Sequence, residues 1–402
     1  MGRSARVDVA GPLAPHVASF RWFLIEQGYS SYSVTEKVRL MAQLSCWLEG
    51  WELDCADVTA ARLEQFLCAR RAEGYARPVS SRGMVVLLEY LRGLGVAPPP
   101  QPASVATPVE VLIERYRKHL VEERRLSPSS IRRYLDVAGA FLTHQAITTE
   151  EDVAGLTTAH ITAYVLSVSR RHNGGSAKTV ATRLRSLLGF LHVEGLTPNG
   201  LSSAVPSVAG WRLTGLPEPV SSSDVVRLLK SCDRRSTVGR RDFAIITILA
   251  RLGLRAGEVA ALRLEDIDWR KGEVTVHGKG NREDRLPLPH DVGEAVAGWL
   301  RRGRPRCSCP AVFTRVLAPH RALSDRAVST VVRQACGRAG LPPAGSHRLR
   351  HYAATEILRA GGNLAEVGQV LRHVSMAATS IYAKVDRHAL AAVVQPWPGA
   401  QA

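Results

Sequence analysis

The amino-acid sequence predicts a mainly α-helical protein with a small antiparallel β-sheet in its C-terminal half. Three observations support this fold class. Apolar residues recur at helical spacing through most of the 402 residues. Two stretches rich in Pro, Gly and Ser, residues 96–108 and about 197–219, divide the chain into three segments. Between 267 and 288 the pattern changes to the alternation of strands, with a glycine-rich turn at 278–281.

The first two segments resemble each other. From Phe20 and from Tyr116 the sequence predicts an aromatic-led amphipathic helix, a Ser-rich cap and a second helix with an apolar stripe. A duplicated helical module of roughly 90 residues explains this pattern, and two unrelated bundles with generic patterning are the alternative. We therefore expect an N-terminal helical module, a second helical domain, a mixed domain and a C-terminal tail. Their expected ranges are 1–95, 108–200, 215–390 and 391–402.

In the third segment, the pattern predicts helices at about 291–302, 325–338, 346–360 and 364–371, with a shorter piece around 376–383. Two earlier helices are expected, one capped by Ser221 or Ser222 and one from about Arg240 to Leu252. The strands of the hairpin are expected at 273–277 and 285–288.

The charge balance indicates a polyanionic partner. The chain has 53 Lys and Arg against 36 Asp and Glu, which gives a formal net charge of +17. Cationic surface gains affinity for a polyanion such as a nucleic acid by releasing counterions from the phosphates. A basic proteome could also produce part of this excess, so the charge alone does not decide the partner.

The cysteine pattern and the hydropathy favour a cytoplasmic protein without a membrane partner. The seven cysteines are scattered, and only Cys307 and Cys309 lie close together. No second pair or His cluster completes a zinc set, so we expect no metal ion and no disulfide framework. The start of the chain lacks the apolar region of a signal peptide, and the apolar stretch 243–250 is too short to span a bilayer.

The third segment holds several cationic side chains and one late tyrosine. Taken singly, each has an ordinary structural explanation. Arg255 could form a local ion pair with Glu258, Lys279 could only make a turn soluble, and Tyr382 could be a core aromatic. The full set is Arg255, Lys279, His347, Arg350, His373 and Tyr382.

The order and spacing of four motifs change that interpretation. The runs are GLRAGEVAALRLEDID, HGKGNREDRLPLP, HRLRHYAATEIL and LRHVSMAATSIYAKV. In this order they resemble the tyrosine recombinase (phage integrase) family. The resemblance covers about residues 220–385, and 108–200 resembles the SAM-like core-binding domain of that family.

The resemblance implies a role for each residue of the set. Arg255 corresponds to the first catalytic arginine, His347 and Arg350 to the H-x-x-R pair, and Tyr382 to the nucleophile. Lys279 is similar to the family's hairpin lysine and His373 to its second histidine. Glu258 and His351 match supporting residues, with Glu258 buttressing Arg255.

The chemistry of these roles is physically coherent. Two guanidiniums can hold the nonbridging oxygens of a phosphodiester as charge builds on them. Tyr382 needs surrounding positive charge, and a base such as His347, to attack as phenolate. Lys279 is a candidate acid for the departing 5′ oxygen. The covalent bond conserves the phosphodiester energy, so we expect no cofactor and no ATP.

Arg372 departs from the family pattern, because the residue before the second histidine is commonly glycine. An arginine there either alters how the backbone approaches the phosphate or adds a third cation. Short arginine clusters at 234–235, 240–241 and 301–306 have two interpretations, contact with the DNA backbone or solvated surface.

The resemblance further implies double-stranded DNA as substrate and self-association to a tetramer. Two other classes remain open, a non-catalytic DNA-binding protein that keeps the fold and a type IB topoisomerase. The extra N-terminal module resembles that of integrases carried by transposons and other mobile elements, whereas Xer-type recombinases usually lack it. A role as a phage integrase is the alternative that stays open. That module could bind arm-type DNA or contact a partner recombinase.

Overall fold

The computed structural model describes residues 7–75, 81–100, 107–171, 174–197, 200–207, 220–278 and 282–372. These residues build three main hydrophobic cores, which lie within 13–97, 112–205 and 220–349. By packing they divide into two compact units: residues 7–98 together with 220–372, and residues 107–207. In this described part of the chain, no helix is both long and apolar enough to cross a membrane.

The N-terminal module consists of four helices, each begun by local sequence signals. Ser30 caps the second helix by accepting a hydrogen bond from the Ser33 amide, and Thr59 caps the third in the same way from Arg62. Short 3-10 turns lie at Ala14–His16 and Cys55–Asp57. The helices are α1 (Val17–Glu26), α2 (Ser31–Gly50), α3 (Ala60–Ala72) and α4 (Ser81–Gly93).

The second unit has the same order of elements. A capping box at Thr107 and Glu110 begins its first helix, and Ser127 caps its second helix. A five-residue helix replaces the 3-10 turn at 55–57 of the N-terminal module. The helices are α5 (Pro108–Glu122), α6 (Pro128–His144), α7 (Glu150–Ala154), α8 (Thr158–Arg171) and α9 (Gly174–Val193).

Both modules contain a triad of rings with the same geometry, two on the first helix three residues apart and one on the last helix. The ring-centroid distances are 6.4, 5.0 and 5.0 Å in the N-terminal triad and 6.3, 5.1 and 5.2 Å in the second. This agreement favours a duplication over two unrelated bundles. The triads are Phe20, Phe23 and Tyr90, and Tyr116, His119 and Phe190.

The tyrosine hydroxyls of the triads link the same pair of helices in opposite directions. Tyr90 on α4 donates to Ser19 on α1 at 2.7 Å, whereas Tyr116 on α5 donates to Ser186 on α9 at 3.0 Å. In each case a buried hydroxyl is satisfied between the first and last helices. In both modules a tyrosine–serine hydrogen bond thus joins the first and last helices. The tyrosine is on the last helix in the N-terminal module and on the first helix in the second module.

The C-terminal domain surrounds one buried helix. Its second helix, Thr237–Leu252, is apolar on almost every face and packs against the helices His290–Arg302, Asp325–Arg338 and Ser346–Arg359. The helices predicted near 291–302, 325–338, 346–360 and 364–371 all occur, and the piece around 376–383 lies outside the described residues. In chain order they are α10 (Ser222–Lys230), α11 (Thr237–Leu252), α12 (Ala256–Ala261), α13 (His290–Arg302), α14 (Asp325–Arg338), α15 (Ser346–Arg359) and α16 (Leu364–Val370).

A three-stranded antiparallel sheet follows α12. Its strands β1 (Ile267–Asp268), β2 (Glu273–His277) and β3 (Glu283–Pro287) lie in the order β1-β2-β3. The hairpin of β2 and β3 matches the alternation seen in the sequence, with Val274 opposite Leu286. The strand β1 was not predicted, because two residues are too few to give a period.

The N-terminal module contacts the C-terminal domain through the turn between α1 and α2. The carbonyl oxygen of Gln27 accepts a hydrogen bond of 3.2 Å from the His320 amide. Gly28 has φ +82°, and a Cβ there would lie 2.1 Å from the His320 ring. An ion pair of 3.4 Å joins Glu89 to Arg321 beside this contact. The turn therefore needs glycine both for its backbone conformation and for its close approach.

Candidate active site

Arg255 is positioned by a buried carboxylate. It is the N-cap residue of α12, with extended backbone, directly after the end of α11. Glu258 accepts a bond of 2.7 Å from Arg255 Nη1 and another of 2.8 Å from the Arg255 backbone amide. The carboxylate is 6% exposed, whereas 45% of the Arg255 side chain is open to solvent. Glu258 therefore holds the Arg255 guanidinium in a fixed position at the surface.

Arg350 is buried at the ends of two helices. Its Nη1 donates to the carbonyl oxygen of Gly253 at 2.6 Å, and its Nη2 donates to the carbonyl oxygen of Leu371. Gly253 is the C-cap residue of α11 and Leu371 that of α16. Carbonyl groups at helix C-termini lack helical partners and carry partial negative charge, so they suit a guanidinium. Arg350 thereby connects α11, α15 and α16.

Gly253 makes this arrangement possible. Its φ of +59° lies in the left-handed region, which ends α11 and turns the chain toward Arg255. A Cβ at this position would lie 2.6 Å from Leu371 Cδ2 and 3.3 Å from the Ala353 Cβ. The glycine of the GLR motif is therefore required by both backbone conformation and packing.

His347 lies in the first turn of α15, one helical turn before Arg350. The atoms packed around its ring, followed by the positive charges of Arg350 and Arg255, lower its pKa below the usual 6.5. Its ring is T-shaped against that of His351, with centroids 4.4 Å apart. A neutral imidazole at neutral pH can accept a proton, which suits the predicted base.

The turn end of the β2–β3 hairpin is held by His277, the last residue of β2. His277 Nε2 lies 2.9 Å from Asp266 Oδ1, and Nδ1 lies 3.5 Å from Glu283 Oε1. The hydrogen bond to Asp266 is the main cause that raises the His277 pKa above 6.5. Lys279, two residues further on, lies outside the described residues. The described part of the hairpin is thus tied to the 3-10 turn Leu264–Asp266, which precedes β1.

The Arg372 side chain forms ion pairs with two carboxylates of the site. Its Nη2 lies 2.6 Å from Glu258 Oε2, and its Nε lies 3.7 Å from Asp284 Oδ2 on β3. The side chain is 8% exposed. Burial lowers the pKa of its guanidinium, and the carboxylates of Glu258 and Asp284 oppose that shift.

Four of the residues singled out in the sequence, Arg255, Glu258, His347 and Arg350, lie around the junction of α11, α12 and α15. His351 follows on α15 in contact with His347. Lys279, His373 and Tyr382 fall outside the described residues. Sequence reasoning missed Asp284 and the pair of His277 with Asp266, because the partners lie on separate elements and no local pattern indicates these contacts.

The arginine clusters have partners within the protein. Arg241 pairs with the buried Asp242 at 2.8 Å, and Arg234 lies over the Phe243 ring at 4.5 Å. Arg240 donates to the carbonyl oxygen of residue 302, and Arg304 donates to that of Ala311. These four side chains thus have partners within the protein, and the two interpretations of the clusters, contact with the DNA backbone and solvated surface, stay predictions.

Potential metal ligands are dispersed in the part of the chain that the structure describes. No group of three or more His, Cys, Asp or Glu side chains comes together there. The cysteines at 46, 55, 68, 232, 307, 309 and 336 are free thiols.

Comparison with solved structures identifies the fold. A lambda integrase tetramer bound to a Holliday junction matches with a TM-score of 0.54 and 16% identity over 81% of this chain and 91% of that one. The XerH recombinase bound to palindromic difH, in its post-cleavage complex, matches with a TM-score of 0.52 and 17% identity over 71% and 96%. At such identity the likeness concerns the fold, which is that of tyrosine recombinases.

Sequence comparison extends this to the family. Residues 219–388 match the phage integrase family, and 113–194 match its N-terminal SAM-like domain. The integrase/recombinase y4rA of Sinorhizobium fredii is 38% identical over 97% of this chain and 95% of its own length. A tyrosine recombinase XerC of Xanthomonas campestris is 31% identical over 70% of this chain and 86% of its own. The chain belongs to the phage integrase family of tyrosine recombinases, enzymes that break and rejoin DNA strands.

Proposed function

We propose that the chain is a site-specific recombinase that cuts and rejoins duplex DNA through a 3′-phosphotyrosyl bond to Tyr382. The observation that carries the proposal is the Arg255 guanidinium, fixed at the surface by the buried Glu258 beside His347 and Arg350. Such a preorganised cationic site favours a phosphodiester transition state over the ground state.

In the proposed cleavage step, the phenol oxygen of Tyr382 attacks the scissile phosphorus while His347 takes the phenol proton. Arg255 and Arg350 stabilise the charge on the nonbridging oxygens, and His373 donates a hydrogen bond to the phosphate. The bond from phosphorus to the 5′ oxygen breaks, and Lys279 gives that oxygen its proton. Attack by another 5′ hydroxyl reverses these steps and joins a new strand.

Arg350 can bind a phosphate in addition to its contacts with the backbone. Its two terminal nitrogens donate to backbone carbonyls of Gly253 and Leu371 in the structure. A guanidinium has five donor hydrogens, so it can donate to a phosphate as well as to two carbonyl oxygens. Arg350 is 2% exposed, whereas close to half of the Arg255 side chain is open to solvent.

We further propose that the chain has three domains with different binding roles. Between residues 220 and 372 the sequence has 27 Lys and Arg against 15 Asp and Glu, whereas residues 1–98 have 11 against 10. Electrostatic attraction to DNA is therefore concentrated in the C-terminal domain, and the near-neutral N-terminal module suits protein contacts. Four chains would assemble on two DNA sites, as the solved lambda integrase tetramer does on a Holliday junction.

The biological task that fits best is integration, excision or transposition of a mobile element. The Sinorhizobium integrase/recombinase matches nearly the whole chain, including the N-terminal module. By contrast, a tyrosine recombinase XerD of Listeria monocytogenes is 29% identical over 69% of this chain while being covered over 94% of its own length. We therefore propose that the N-terminal module is the part that separates this chain from Xer-type relatives.

Trapping the covalent intermediate tests the proposal. The DNA would be the repeats that flank its own gene, with a nick beside the cleavage position so that the released fragment diffuses away. The wild type should form a protein–DNA adduct on a denaturing gel, and Tyr382→Phe should bind the same DNA without forming it. An adduct with Tyr382→Phe would remove Tyr382 from the mechanism. Relaxation of supercoiled DNA without pairing of two sites would instead indicate a topoisomerase.

A further inference from the structure

Arg372 adopts a backbone conformation that disfavours its own residue type. Its φ is +54°, in the left-handed region where the Cβ of an L residue is crowded. It directly follows Leu371, the C-cap residue of α16, and glycine is the usual residue in such a position. An arginine kept there needs compensation from contacts of its side chain.

The contacts of the Arg372 side chain join two separate parts of the site. Its Nη2 binds Glu258 Oε2 at 2.6 Å, the same oxygen that accepts the Arg255 backbone amide at 2.8 Å. Its Nε lies 3.7 Å from Asp284 on β3, the strand that follows Lys279 in the sequence. Arg372 thus connects the support of Arg255 with the hairpin.

An ordinary buried ion pair would explain only part of this geometry. Buried pairs add little net stability, because desolvation offsets their attraction. Among the described residues, moreover, the buried Nη1 of Arg372 has no hydrogen-bond acceptor. A left-handed backbone and an unsatisfied donor are both costly, which favours a functional reason for keeping this arginine.

We propose that Arg372 is a positioning residue that fixes the β2–β3 hairpin, and with it Lys279, relative to Glu258 and Arg255. The inference rests on the proposed function, because it assigns Arg372 an effect on the leaving-group step. Glycine at 372 would remove the backbone strain, but Glu258 and Asp284 would lose their contacts with the Arg372 side chain. Glu258 would keep its two bonds to Arg255, whereas Asp284 would lose its contact with the core of the site.

The test compares two nicked duplexes of the recombination site in single-turnover cleavage. One has the normal 5′ bridging oxygen and the other has sulfur in its place, because a thiolate leaves without needing a proton. On the oxygen substrate, Arg372→Gly should cleave at least about tenfold more slowly, a part of the roughly 10²–10⁴-fold that general acid catalysis supplies. On the sulfur substrate its rate should come close to that of the wild type, while the Kd for DNA stays within about threefold.

Matched variants separate positioning from folding. Lys279→Ala should be rescued by sulfur, and Glu258→Gln should be slow on both substrates. Asp284→Asn, which keeps the shape of the side chain, should be slow on oxygen, and combining it with Arg372→Gly should add little further loss. Arg359→Ala, which removes an exposed arginine paired with Glu356 at 2.8 Å, should behave as the wild type.

Two results would overturn the inference. One is a wild-type rate for Arg372→Gly on the oxygen substrate, and the other is an equal defect of that variant on both substrates. Failure of the wild type to form any adduct would count against the proposed function instead, so the two failures are distinguishable.

Discussion

Arg350 donates a hydrogen bond of 2.6 Å to the carbonyl oxygen of Gly253, 97 residues earlier in the chain. The bond fixes the distance between the C-terminal end of α11, which leads into Arg255, and the helix α15, which carries His347. Two motifs that are distant in sequence are thereby held as one site. The junction leaves no room for a side chain on Gly253, since Leu371 Cδ2 would lie 2.6 Å from its Cβ.

Gly253→Ala is therefore expected to destabilise the protein. The left-handed backbone costs an alanine roughly 1–2 kcal/mol, and the clash with Leu371 adds about 1–3 kcal/mol of overpacking. Urea unfolding should show a loss of at least about 2 kcal/mol in the free energy of unfolding. Gly257→Ala is the control, because a Cβ on this helical glycine meets no atom within 4 Å. Equal stability of the two variants would contradict the packing argument.

His347 should titrate below the usual histidine range. Its pKa is lowered by burial and by the charges of Arg350 and Arg255, so the folded protein holds the neutral ring down to a pH below 6.5. The unfolded chain binds the proton first as the pH falls, so stability decreases below about 6.5. In NMR titrations of the free protein, Arg255→Gln should raise the His347 pKa, whereas Arg359→Gln should leave it unchanged. If the His347 pKa is unaltered in Arg255→Gln, Arg255 does not lie close enough to His347 to affect its charge.

Much of the fold could be predicted because local signals coincide with it. The cap at Ser221, the alternation of β2 and the apolar run of α11 each act within a few residues, and these elements occur as expected. The spacing also indicated that Arg255 and Glu258 belong together, since they lie three positions apart at the start of α12.

Other features depend on long-range contacts that no local pattern encodes. The sequence flagged Arg372 only as a departure from glycine. Its two partners, Glu258 and Asp284, lie 114 and 88 positions earlier in the chain, and only the folded structure brings them together. The strand β1 was missed for a similar reason, because two residues become a strand only by pairing with β2.

The hairpin should loosen as the pH rises. Asp266 raises the His277 pKa above 6.5, so the contribution of the protonated ring to holding the turn end of β2 and β3 is fully present below that value. Its contribution is lost as the pH rises through the raised pKa of the folded state. Hydrogen-exchange protection of the β2 and β3 amides, corrected for intrinsic rates, should therefore fall across this range. In His277→Asn the protection should be lower at acidic pH and nearly independent of pH; a pH dependence like that of the wild type would refute the assignment.

The contact between the N-terminal module and the C-terminal domain should depend on Gly28. An alanine there is strained at φ +82° and would lie 2.1 Å from the His320 ring, so the turn at 27–29 should separate from the loop that carries His320. Gly74 is a matched control, since it has φ +86° with no neighbour within 4 Å of a Cβ. Both variants thus have the same backbone strain, and only Gly28→Ala has the clash.

The His320 amide, which donates to Gln27 at 3.2 Å, should lose hydrogen-exchange protection in Gly28→Ala and keep it in Gly74→Ala. Equal protection of this amide in both variants would mean that the module is held to the C-terminal domain by other contacts, such as the pair of Glu89 with Arg321.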